Sequence, residues 1–184
     1  MVKIGKVKNV QEFVKVINEN EILQNYNYET KDGIKTEKLS AHEIFDGENY
    51  HAILYDKNLI NDMKQHMDTF LLDGTFSAFP VRCGTQMVTI MIQYCGTALP
   101  IIWGFLNGKK TEAYVSFLQH IKNAFPFLEK TLKTTMCDYE RAIFNAISEV
   151  FPDVRRTLCY FHQSKVCIIF DINFYSFFGG QIVR

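Results

Sequence analysis

The sequence predicts an α/β fold: a mixed sheet, antiparallel in its first three strands and parallel in its last two, with flanking helices. Three observations predict it. Met87 to Tyr94 (MVTIMIQY) is β-branched and nearly all apolar, as a strand buried on both faces must be. The first three apolar runs are joined by short connections and suit an antiparallel meander. The later runs alternate with helical periodicity, which makes their strands parallel.

In chain order, residues 1–67 read as a polar, lysine-rich lead-in. Val10, Phe13, Val14 and Ile17 recur at helical spacing, Asp32-Gly33 reads as a turn, and Leu59, Met63 and Met67 fit a second helix. Residues 68–165 form the organised core. Thr69 to Leu72 reads as a strand ending near Asp73-Gly74. Met87–Tyr94 is the second strand. Leu99 to Leu106 is the third, with Pro100 near its start, where a missing N–H matters least.

Thr111 is a fair N-cap for a helix whose Tyr114, Phe117, Leu118, Ile121 and Phe125 line one face, and Pro126 ends it. Leu132 to Cys137 is a short strand with Asp138 at its end. Residues 139–151 are a helix stopped before Pro152, and Val154 to Tyr160 is the last strand. This order matches the RNase H-like topology. Residues 166–184 form an atypical apolar tail without helical periodicity, broken at Gly179-Gly180.

The chain has 184 residues, 47% of them hydrophobic, enough for one domain with a sizeable core. Lysine plus arginine equal aspartate plus glutamate at 20 each, so there is no general basic footprint for nucleic acid, although a local basic groove stays open. The five scattered cysteines and a mixed-charge start without a secretory signal fit a reduced, intracellular setting. No stretch reaches the roughly 18 apolar residues of a membrane span.

Asp73 and Asp138 each follow an apolar strand, where a rigid sheet can project both carboxylates into one cleft. Such a pair can hold Mg2+, which takes hard oxygen ligands and often only one or two carboxylates. Each acid also has a plain reading, Asp73-Gly74 as a turn and Asp138 as a helix N-cap. Arg155-Arg156 and Lys109-Lys110 are short basic clusters that could touch phosphates, although solvated surface charge is the commoner use. His42, His51, His66 and His120 are isolated and read as surface or partly buried residues.

One ordered set of motifs runs through residues 68–165. It comprises Asp73-Gly74-Thr75-Phe76 with Pro80 and Gln86, Tyr114-x-x-Phe117-Leu118, Asp138-Tyr139-Glu140-x-Ala142, Phe151-Pro152 and Cys159-Tyr160-Phe161-His162. Taken together they resemble the catalytic domain of Mutator-like element (MULE) transposases. The resemblance implies an RNase H-like core of the D-D-E type, with Asp73 and Asp138 as the first two metal-binding acids. It implies Mg2+ or Mn2+ as cofactor, DNA (transposon ends and target) as partner, nuclear localisation, and a homo-oligomer in the intact parent.

The family's Cys-x-x-His motif falls on Cys159 and His162. Both are good zinc ligands, but two more would be needed, so a buried cysteine beside a hydrogen-bonded histidine is the expected role and zinc is not expected. The family's third acid, a glutamate, lies beyond this motif. The 22 residues after His162 contain no glutamate, and Asp171 is their only acid. The expectation is therefore a D-D-E transposase fragment, inactive or nearly so alone. The alternatives are a non-catalytic DNA- or protein-binding module, or a degenerate product without function. An RNase H-like exonuclease would need a glutamate close to Asp73, where Gly74, Thr75 and Phe76 stand instead.

Overall fold

A computed structural model describes residues 7–21, 25–30, 33–75, 84–138 and 140–159. Eight strands form one sheet in the order β1-β2-β3-β6-β5-β4-β7-β8. They are β1 (Asn25–Thr30), β2 (Gly33–Phe45), β3 (Tyr50–Asp56), β4 (Thr69–Thr75), β5 (Gln86–Tyr94), β6 (Thr97–Leu106), β7 (Thr134–Cys137) and β8 (Arg155–Leu158). The helices are α1 (Val10–Glu19), α2 (Lys57–Asp62), α3 (Thr111–Ala124), α4 (Leu128–Thr131) and α5 (Arg141–Val150). β4, β5 and β6 form the expected antiparallel meander, and β7 and β8 join it in parallel. No helix among the described residues is long and apolar enough to cross a membrane.

The main departure from the sequence reading lies in the first 67 residues. Helices occur near both expected places, but three strands stand between them. β3 pairs antiparallel with β6 and so extends the same sheet. The apolar run Ala52-Ile53-Leu54-Tyr55 is short and flanked by charge, which hides it from a periodicity argument. The turn before it is built by Asp46, whose Oδ1 accepts the N–H groups of Glu48 and Asn49 at 2.8 and 2.7 Å. Gly47 takes φ +102° there, a conformation that glycine adopts without penalty. Asp32 and residues 166–184 lie outside the described residues.

Alternation along the strands separates two cores. Val88, Ile90, Ile92, Phe70, Leu72, Ile53 and Ile102 are buried on one face with Tyr114, Phe117, Leu118 and Ile121 of α3 and Ile143, Ala146, Ile147 and Val150 of α5. On the other face, Val10, Phe13 and Ile17 of α1 pack on Ala41, Ala52, Leu54 and Phe105. Burying each large side chain of α3 contributes roughly 2 kcal/mol, several times any single helix-propensity difference, so packing decides where this helix lies. Thr111 is its first residue rather than its cap. Lys110 holds the cap position in extended conformation without a capping side chain.

His42 and His120 are not isolated. Their rings are 5.2 Å apart, His42 stacks on Tyr55 at 4.6 Å, and Tyr55 Oη lies 3.4 Å from His120 Nε2. Burial lowers both histidine pKa values. Lys57 adds to the effect on His42, and His42 adds to it on His120. A histidine with a depressed folded pKa takes up its proton more readily in the unfolded chain. The stability it contributes is therefore present above the ordinary value near 6.5 and is lost as pH falls towards the folded pKa. The melting temperature is expected to drop between about pH 7.5 and pH 5.5, and His42→Gln/His120→Gln to flatten that slope. A wild-type melting temperature that is constant over this window would refute the expectation.

Candidate active site

The parallel pairing of β4 and β7 sets the geometry of the two acids. Thr69, Phe70 and Leu71 stand opposite Thr134, Thr135 and Met136. Asp73 and Asp138 are each two residues beyond the Leu71–Met136 pair, Asp73 still within β4 and Asp138 just past the end of β7. Phe70 and Leu72, like Thr135 and Cys137, are buried on the α3/α5 side. Alternation therefore puts Asp73 on the opposite face, away from α3 and α5, whereas Asp138 lies just past the end of β7. Both are half-buried.

The plain readings of these acids do not hold in the structure. Asp73-Gly74 is not a turn, because β4 runs on to Thr75 with Asp73 paired to Thr89 and Gly74 to Val88. Asp138 does not cap α5, whose cap position is Glu140. Instead Asp138 Oδ1 accepts the Glu140 N–H at 3.0 Å, which ties the carboxylate to the loop that enters α5.

Behind Asp138 runs a hydrogen-bond chain to which the sequence reading assigns no role. Gln86 Nε2 donates to Gly108 O at 2.9 Å and to Tyr114 Oη at 2.7 Å. Tyr114 Oη in turn donates to Glu140 Oε1 at 2.6 Å, a short charge-assisted bond. Gln86 is fully buried and Tyr114 is 1% exposed. Burial and then the Glu140 bond push the Tyr114 pKa far up, so the phenol remains a donor. Gln86 Oε1 has no partner among the described residues.

The Gly108 end of this chain is fixed by His51, which is buried completely rather than superficial. His51 Nδ1 accepts the Asn107 N–H at 2.9 Å, which places the ring proton on Nε2, where it is donated to Asp46 Oδ2 at 2.9 Å.

Cys159 is half-buried and its N–H donates to Cys137 O at 2.8 Å. Burial, with Asp138, Cys159 and Glu140 nearby, pushes the Cys137 thiol up to about 11 and keeps it protonated. His162, Phe76, Pro80 and Tyr139 lie outside the described residues. Among the described residues no three His, Cys, Asp or Glu side chains form a group that could hold a metal ion. Lys110 pairs with Glu48 at 2.7 Å on the surface, while Arg156 lies over the Phe144 ring.

A family model described as the MULE transposase domain matches residues 69–166, just over half of the chain. No curated protein and no solved structure gave a significant match.

Proposed function

The chain belongs to the MULE transposase domain family, and from that premise we propose that β4 to β8 form an RNase H-like core in which Asp73 and Asp138 hold Mg2+ or Mn2+ for phosphodiester chemistry on DNA. One observation supports this reading: β4 and β7 pair in parallel, and Asp73 and Asp138 each stand two residues beyond their Leu71–Met136 pair. Carboxylate oxygens are the hard donors such an ion takes, and two of them leave positions for water and phosphate. Bound there, the ion would supply positive charge to a phosphoryl oxygen and lower the pKa of an attacking water or 3′-hydroxyl.

The chain's own residues hold the donors in place. The Glu140 N–H donates to Asp138 Oδ1, which orients the carboxylate that would hold the ion. Asp73 is fixed by its strand, with β5 on one side and β7 on the other.

The test is a Mn2+ titration of the full chain followed by the loss of the free-ion paramagnetic signal. Asp73→Asn and Asp138→Asn are each expected to weaken binding by about tenfold, since even residues behind the ligands of a metal site change affinity by that much. Equal affinities in wild type and both variants would refute the reading.

A further inference from the structure

A second feature follows Asp138 along the chain. Arg141 opens α5, and Phe144 and Asn145 follow one turn later, so the three share a face. β8 runs alongside. Its Arg156 guanidinium lies 4.9 Å from the centre of the Phe144 ring, and its Leu158 side chain is 38% exposed. Arg141, Phe144, Asn145 and Leu158 line a hollow of about 530 Å3.

Arg141 and Arg156 form no ion pair among the described residues, so neither guanidinium charge is compensated by a carboxylate there. The ring of Phe144 holds the planar Arg156 fork in place, so little side-chain entropy remains to be lost on binding. The chain as a whole is neutral, so attraction of an anion to this hollow rests on these local charges rather than on net charge.

We propose that this hollow between α5 and β8 binds the phosphate backbone of a DNA strand beside Asp138. The proposal deepens the functional reading above and rests on it for the identity of the anion. Position supports it, because Arg141 is three residues past Asp138 and Leu158 stands opposite Cys137 on β7. Chemistry supports it as well: arginine forks match phosphate oxygens, Asn145 offers an amide, and Phe144 and Leu158 offer apolar surface to sugar or base.

The experiment measures binding of a labelled DNA duplex to the full chain in EDTA over a range of salt concentrations. Because no metal is present, a failure of the metal reading leaves this measurement untouched. Arg141→Gln/Arg156→Gln is expected to bind at least about fivefold more weakly at physiological salt. Its plot of log K against log salt should be shallower by about 1.8, or about 0.9 for each phosphate that is no longer neutralised. Should Arg156→Gln disturb packing on Phe144, exposed Arg141→Gln alone carries the test, with a slope change of about 0.9. No measurable binding by the wild-type chain, an unchanged slope in Arg141→Gln, or equal competition by poly-glutamate would overturn the proposal. The last result would point to an acidic protein segment instead.

Discussion

Gly104→Ala is expected to destabilise the chain by about 3 kcal/mol and to lower its melting temperature by roughly 10 °C, which is large for the addition of one methyl group. Gly104 lies in β6 between Ile53 of β3 and Val88 of β5, in the middle of the sheet. A Cβ there would stand 2.5 Å from Phe117 Cε2 and 2.8 Å from Cδ2. The backbone angles at Gly104 are not the reason for glycine, because no positive φ occurs there. The reason is the close approach of α3. Phe117 is fully buried between sheet and helix, so its ring has nowhere to retreat. The same approach seats Tyr114, one turn earlier on α3, against Gln86 and Glu140. Phe117→Leu removes the atoms that clash and should recover part of the loss, so the double variant should be more stable than the sum of the two single losses allows. A melting temperature unchanged by Gly104→Ala would mean that α3 does not pack this closely.

How far the sequence reveals this molecule depends on the kind of signal each element carries. β4 to β8, α3 and α5 are legible because their apolar residues repeat with strand or helix period and are punctuated by Pro126 and Pro152. Asp73 and Asp138 are legible because each follows an apolar strand. β2 is not, because a strand near a sheet edge can be largely polar, and β3 is not, because its buried apolar run Ala52-Ile53-Leu54-Tyr55 is too short to show a period. Their one usable sign is the Asp46-Gly47 turn. The chain behind Asp138 is half visible. Gln86, Tyr114 and Glu140 all stand in the motifs that carry the family resemblance, but they are 28 and 26 residues apart in sequence. Only the packing of α3 on the sheet brings them into contact, and no local periodicity encodes that. Gln86 alone offers a hint, as an amide at the head of an otherwise apolar strand that must find partners when buried.

That chain leads to the second large effect. Tyr114→Phe is expected to cost about 2 kcal/mol of stability, because the Glu140 carboxylate loses an O–H donor and Gln86 loses an acceptor in a buried setting. Gln86 keeps its bond to Gly108 O, so the amide remains partly satisfied. Stability alone would not separate a positioning role from ordinary packing. Mn2+ affinity, measured well below the melting temperature, does separate them. Glu140 holds Asp138 through its own N–H, so a Glu140 side chain released from Tyr114 should loosen the carboxylate and weaken ion binding up to about tenfold. Tyr114 itself is not a ligand, so a merely structural role would leave that affinity unmoved. Glu140→Gln adds a cycle. If the two side chains act as one unit, the double variant should bind Mn2+ about as weakly as either single variant, whereas independent roles would give additive losses. Unaltered Mn2+ affinity in Tyr114→Phe would separate the buried chain from the acids and leave it as part of the core. A loss shared non-additively with Glu140→Gln would tie the precision of Asp138 to the buried Tyr114 of α3.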